Sequence, residues 1–220
     1  METKKNDFIE LEFTAKTKTG EIFDTTDFEE AKKSNMVDEK AKDQFKPIKV
    51  CIGQGQVLAA LDKALENKEP EKDYEIEISA KEGYGKRDTK LIRTVPLTAF
   101  EQMPQQGMFV NVNGMIAKVI SVTGGRVLID MNHPLAGKDT IYKFKILRII
   151  ESKEEKTQVF LESLGIKKES FSLQENKVIV KEKVPEKVQE EIKKRAKEIL
   201  SLEIEFKEEK EKPEKEEKKK

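Results

Sequence analysis

Side chains able to do acid–base or nucleophilic chemistry are scarce in this chain, and none has the company such chemistry needs. The single histidine, His133, lies in MNHPLAGKD (131–139), and the single cysteine is Cys51. A transition-metal site takes several His, Cys or carboxylate ligands, so one of each is a poor start. There is no CxxC, HExxH, GxSxG or P-loop, and GQGQ (53–56) lacks the third glycine of a dinucleotide fingerprint. The hydroxyls have no matching base. Asn132 and Pro134 flank the histidine with turn chemistry, so His133 is expected in a turn. What remains is a set of aromatic and aliphatic residues at strand and helix junctions: Phe13, Phe23, Ile48, Val57, Leu58, Leu61, Tyr84 and Phe144. By periodicity alone these read as hydrophobic core.

The elements that would position them follow from the pattern. FIELEFTAK, KPIKVCIG, YEIEISA and TIYKFKILRII alternate apolar with polar, the mark of half-buried antiparallel strands. KTKTGEIFD turns the chain at Thr19-Gly20, and Thr25 to Phe45 is a polar flap containing the helix-compatible DFEEAKKSN. QVLAALDKALENKEP spaces Val57, Leu58, Leu61 and Leu65 for one helix, with Pro70 beyond its end. Strands, one helix, then strands predict an antiparallel sheet wrapped on a single helix, an α+β design. Between GYGKRD and MNHPLAGKD the character changes. VPLTAFEQMP is a short helix at most, and Asn113-Gly114 and Gly124-Gly125 sit between apolar alternations as tight hairpin turns. Residues 87–133 are therefore expected to be a β-rich insert, dividing a first domain into 1–86 and 134–152.

A third unit, 153–206, reads as αβαβ: a helix in TQVFLESLG stopped by Gly165, the strand ENKVIVKE, a helix with Pro185 at its first position, and the strand LEIEF. Its core is thin, so a docking or dimer partner is expected. The tail KEEKEKPEKEEKKK (207–220) is charged at 13 of 14 positions and is expected to be solvated and disordered.

With 43 Lys+Arg against 43 Asp+Glu, charge alone predicts no binding to nucleic acid or anionic membrane. A surface dense in Lys and Glu suits ion-pair networks, which bear on stability rather than function. The lone cysteine excludes a disulfide framework. No signal-peptide core or long apolar run is present, so a cytoplasmic location is expected.

Five pieces in order, FTAKTKTGEIFD, KPIKVCIGQGQVLAALDKAL, EGYG, NHPLAG and YKFKI, resemble the FKBP-type peptidyl-prolyl cis-trans isomerases. They are most similar to the SlyD-like group, whose insert-in-flap (IF) domain follows GYG and returns through an NHxLAG turn. The resemblance covers residues 5–150 and includes archaeal members with a C-terminal extension. It implies an FKBP-like domain, an IF domain and no cofactor or metal. Its pocket would fall on Phe13, Phe23, Asp24, Ile48, Val57, Leu58, Leu61, Tyr84 and Phe144, with the Leu58 N–H and the Tyr84 hydroxyl holding substrate carbonyls. Phe13, Ile48 and Leu61 depart from the aromatic or hydroxylated residues usual at those positions. Met103, Met108, Phe109, Val110, Met115 and Ile116 would form a client-binding surface on the insert, methionine being suited to promiscuous contact.

The implied activity is isomerisation of X–Pro bonds in unfolded or partly folded proteins, without covalent or acid–base chemistry. A homodimer through 153–206 is a further expectation. Two alternatives stay open: a holding chaperone that keeps the fold without catalysis, and an assembly protein whose C-terminal unit docks on a partner such as the ribosome.

Overall fold

FIELEFTAKT alternates, and Ile9, Leu11, Ala15 and Thr17 are buried along one face of β1 (Phe8–Thr17), with Phe8 buried on the other. The computed structural model describes residues 1–174 and 177–207. After β1 come β2 (Ile22–Thr25), helix α1 (Phe28–Lys33), β3 (Ile48–Cys51), helix α2 (Ala59–Ala64) and β4 (Asp73–Ile78). The expected flap holds α1, capped by the Asp27 carboxylate on the Glu29 and Glu30 N–H groups, and a 3₁₀ segment, Glu39–Gln44. Helix α2 is shorter than the apolar spacing predicts. Next come β5 (Ile92–Pro96), β6 (Phe109–Val112), β7 (Met115–Thr123), β8 (Arg126–Asp130) and β9 (Thr140–Ile149). The C-terminal elements are α3 (Lys153–Glu162), β10 (Phe171–Gln174), β11 (Lys177–Val180), α4 (Glu186–Leu200) and β12 (Glu203–Phe206).

These strands make three sheets. One has the order β2-β1-β9-β4 with β3 also on β1, so β9 does close the sheet that β1 opens. The chain divides into two compact units, one of residues 1–14, 25–74 and 143 onward, the other of 15–24 and 75–142. Together with the few short helices this is an α+β fold with predominantly antiparallel sheets.

Within the second unit, β5-β8-β7-β6 form an antiparallel sheet. Both predicted hairpins are present. Val112 pairs with Met115 across Asn113-Gly114, and Thr123 with Arg126 across Gly124-Gly125, with φ positive at all four turn residues. VPLTAFEQMP is a strand as far as Pro96, followed by one 3₁₀ turn, Leu97–Ala99.

The C-terminal segment has one strand more than expected, so αβαβ is corrected to α3-β10-β11-α4-β12. Strand β10 pairs antiparallel with β11, and β12 runs parallel to β11 after the α4 crossover. Pro185 caps α4 rather than opening it, since its own ψ is extended. The thin core is completed from the same unit. Val159, Phe160 and Leu161 of α3, Val178 and Val180, and Ile192 and Ala196 of α4 pack in one cluster with Phe8, Cys51 and Ile150. The docking surface this segment needs is therefore the face of β1 and β3. The charged tail from residue 208 lies outside the described residues.

Candidate active site

In the second unit, Phe23 of β2 packs edge-to-face with two tyrosines: Tyr84 with centroids 5.8 Å apart at 88°, and Tyr142 at 6.0 Å and 77°. The tyrosine hydroxyls lie 3.0 Å apart and hydrogen-bond each other. Edge-to-face packing of this kind aligns ring quadrupoles favourably. Phe23 and Tyr84 are half-buried and Tyr142 is buried. Burial, reinforced by the bond to Tyr84, pushes the Tyr142 phenol well above its ordinary range, so it keeps its proton. Asp24, beside Phe23, is exposed.

The turn that carries His133 backs this group. The imidazole stacks flat on Tyr84, centroids 4.9 Å apart and planes 5° from parallel, and its Nδ1 accepts the Leu135 N–H at 3.2 Å. The His133 carbonyl accepts the Ala136 N–H at 2.8 Å, closing the expected turn. Gly137, at φ +78°, donates its N–H to the Gly85 carbonyl at 2.8 Å, tying NHPLAG to GYG. Asp139 accepts the Ala80 N–H at 2.8 Å and secures the other side of the same loop. Among the described residues no group of three or more His, Cys, Asp or Glu side chains is placed to hold a metal ion.

In the first unit, Val57 and Leu58 stand half-buried where the chain enters α2, and Leu61, one turn on, is fully buried. The loop before them is set by a residue the sequence reading missed. Asp62, 7% exposed, accepts the N–H groups of Gly53 (2.8 Å) and Gly55 (2.9 Å), whose φ values are +80° and +67°. Gln56 Oε1 accepts the Cys51 N–H at 2.6 Å. These bonds fold GQGQ back on the helix and fix the path of Val57 and Leu58. The Leu58 N–H makes no hydrogen bond within the described residues. Phe13 is half-buried and exchanges backbone bonds with the Thr26 hydroxyl and N–H at 3.0 and 2.9 Å. Ile48, also half-buried, opens β3 opposite Leu11.

Phe144 makes a different contact. It is buried against Tyr74, with stacked rings 5.4 Å apart, and the residue of its strand that joins Phe23 and Tyr84 is Tyr142. Both side chains lie on one face of β9 because they are two residues apart, and pattern alone does not separate them.

Of the six apolar residues proposed for the insert surface, Met103 (71% exposed), Ile116 (70%), Phe109, Met115 and Met108 are exposed. Val110 is not among them. It packs with Val95, Leu97, Phe100, Val112 and Met131 on a core of Ala117, Val119, Val127 and Ile129, because alternation along β6 turns it opposite to Phe109.

Comparison with known proteins gives the family. Residues 1–97 match the model of the FKBP-type peptidyl-prolyl cis-trans isomerases, and residues 93–135 match the model described as FKBP26, IF domain. The chain is similar to the short-type peptidyl-prolyl cis-trans isomerase of Methanocaldococcus jannaschii, 31% identical over 146 residues, which are 65% of this chain and 91% of that protein. It is also similar to the FKBP-type isomerase SlyD of Yersinia pestis, 28% identical over 51% of this chain and 60% of that protein. For SlyD of Haemophilus influenzae the identity is 22% over 69% and 75%. The chain belongs to the FKBP-type peptidyl-prolyl cis-trans isomerases, and it carries the IF insert. Among the described residues no helix is long and apolar enough to cross a membrane.

Proposed function

We propose that this isomerase works as a folding catalyst in two stages, capturing unfolded chain on its insert and turning X–Pro bonds against the Phe23–Tyr84–Tyr142 group. The observation that carries the reading is the exposure of Met103, Met108, Phe109, Met115 and Ile116 on an insert whose sheet already has a core of its own. Exposed apolar side chains grouped on a small domain favour an interaction role. Holding a client there raises its effective concentration for the isomerase step without any further contact.

The isomerisation itself needs no proton transfer. Rotation about the prolyl bond loses amide resonance, a barrier of ~18–20 kcal/mol. A dry aromatic surface disfavours the charge-separated planar amide relative to the twisted one. The Tyr84 hydroxyl is available to a substrate carbonyl, with Tyr142 holding its orientation, and ring C–H edges add weak contacts. Lowering the barrier by ~4 kcal/mol accelerates the step about a thousandfold. Phe13, Asp24, Ile48, Val57, Leu58, Leu61 and Phe144 are proposed as further substrate-contacting positions on the resemblance to the family, the free Leu58 N–H supporting Leu58 in particular.

A variant carrying Met103→Ser, Met115→Ser and Ile116→Ser tests the two stages. It is expected to isomerise a short proline peptide at the wild-type rate and to catalyse protein refolding at least about tenfold less well, since only the second depends on capture. Equal losses in both assays would put the insert side chains in the catalytic step instead. No loss in either would remove capture from the account.

A further inference from the structure

The insert sheet and the 132–138 turn enclose a cleft of about 410 Å³ that the isomerase reading does not use. We infer that this cleft is a subsite for an acidic side chain of the client, a few residues from the proline; the inference rests on the client-binding reading above.

Three of its side chains form one row across the face of the insert sheet. Phe109 on β6 is opposite Lys118 on β7, and Lys118 is opposite Asp130 on β8. Directly opposed side chains on one face are neighbours, so Lys118 and Asp130 would be expected to pair. They do not, because Asp130 is already engaged. It accepts Arg87 through Nε (2.8 Å) and Nη2 (2.6 Å), and Asn132 through its side chain (2.6 Å) and backbone N–H (2.9 Å). Lys118 has no ion pair among the described residues. Lys138, which also lines the cleft, pairs among the described residues with the exposed Glu21 at 3.6 Å, a surface pair of little strength.

The cleft therefore holds three cations against one carboxylate whose bonding capacity is filled, in a chain whose total charge is zero. An entering carboxylate would meet Lys118 and Lys138 without breaking the Arg87–Asp130 pair. A cation would be repelled, and a purely apolar group would strip water from Lys118 without compensation. Phe109, 57% exposed, offers an apolar contact for the client's neighbouring residue. His133 also lines the cleft and lies on the Tyr84 ring, so the subsite adjoins the aromatic group. An extended chain advances ~3.3 Å per residue, so an acidic residue near the proline in sequence can reach the adjoining cleft.

The test uses the full chain and labelled ten-residue peptides with one central proline. Asp-Asp, Asn-Asn or Lys-Lys stands three residues away, on either side in separate peptides. Binding is read by fluorescence anisotropy, and prolyl exchange by NMR. One placement of Asp-Asp is expected to bind about fivefold tighter than Asn-Asn, with Lys-Lys weakest and the difference shrinking at high salt. Lys118→Glu, at an exposed position, should abolish or reverse the order, while Lys33→Glu should leave it. Equal binding of the acidic and neutral peptides, or the same preference in Lys118→Glu, would overturn the proposal. So would displacement of the acidic peptide by millimolar inorganic phosphate, which would mark a general anion site. Failure of the isomerase reading shows separately, as uncatalysed exchange in every peptide whatever its charge.

Discussion

The hydroxyls of Tyr84 and Tyr142 are 3.0 Å apart, and Phe23 presses its ring against both tyrosines. One tyrosine comes from the GYG loop and the other from β9, the strand that follows the insert, so the segments on each side of the insert contribute to the same aromatic group. His133, on the return turn, stacks flat on the Tyr84 ring.

Tyr142→Phe removes the partner of the Tyr84 hydroxyl and keeps the ring. The expected result is a three- to tenfold lower kcat/KM for a proline peptide, in line with one lost hydrogen bond of about 1 kcal/mol. Tyr84→Phe with Tyr142→Phe should cost less than the sum of the single changes, because both act through one bond. Exchange NMR on all four proteins provides the measurement.

The insert should tolerate change on one side of β6 and not on the other. Val110→Ala, within the insert core, is expected to lower unfolding stability by about 1–2 kcal/mol, whereas Phe109→Ser stays within about 0.5 kcal/mol. Urea titration of the two variants distinguishes them, and the opposite order would mean the sheet faces are wrongly assigned.

Glu155 of α3 accepts both Arg148 Nη atoms (2.6 and 3.1 Å) and Lys49 Nζ (2.7 Å), joining α3 to β9 and β3. Bonding to Arg148, then Lys49, lowers its carboxyl from the usual 4.5 to about 2. A depressed folded-state value means stability that is present above 4.5 and lost as pH falls toward 2. With solvent screening that is about 1–2 kcal/mol at neutral pH. Glu155→Gln should lose it at pH 7 and show a flatter stability profile between pH 4.5 and 2. An unchanged profile would mean that the network contributes nothing.

Cys51 sits in the cluster where the C-terminal elements cover the face of β1 and β3. Burial, with the Asp62 and Asp7 carboxylates adding to it, pushes its thiol up to about 12. Alkylation at pH 8 should therefore be slow in the intact chain. In a chain ending at residue 152 it should be more than about tenfold faster, since thiolate character and access both rise. Equal rates would show that α3 and α4 do not shield it in solution. Light scattering of the same two proteins reads whether the C-terminal segment also joins two copies.

Local chemistry made much of this legible in the sequence. Asn113-Gly114 and Gly124-Gly125 are hairpin turns because glycine and asparagine tolerate the positive φ those turns require. The alternation of FIELEFTAKT marked a strand and its inward face together. Strand β10 escaped because FSLQ is short and only half-buried, too little pattern to register. Asp62 escaped for the opposite reason: a carboxylate on a buried helical stripe reads as a surface charge until the N–H groups it bonds are known. Tyr142 went unmarked because two aromatics on one strand face differ only in their neighbours, which sequence spacing does not supply.

The most direct test of the central claim is the refolding of a protein whose slow phase is limited by prolyl isomerisation, a process of tens to hundreds of seconds unaided. Catalytic amounts of the full chain are added and compared with Tyr84→Ala, a change at a half-buried site. The account predicts that the wild type accelerates the slow phase in proportion to its concentration and that Tyr84→Ala loses most of the effect. A wild-type chain that suppresses aggregation and leaves the slow phase unchanged would contradict it, and would make the protein a holding chaperone.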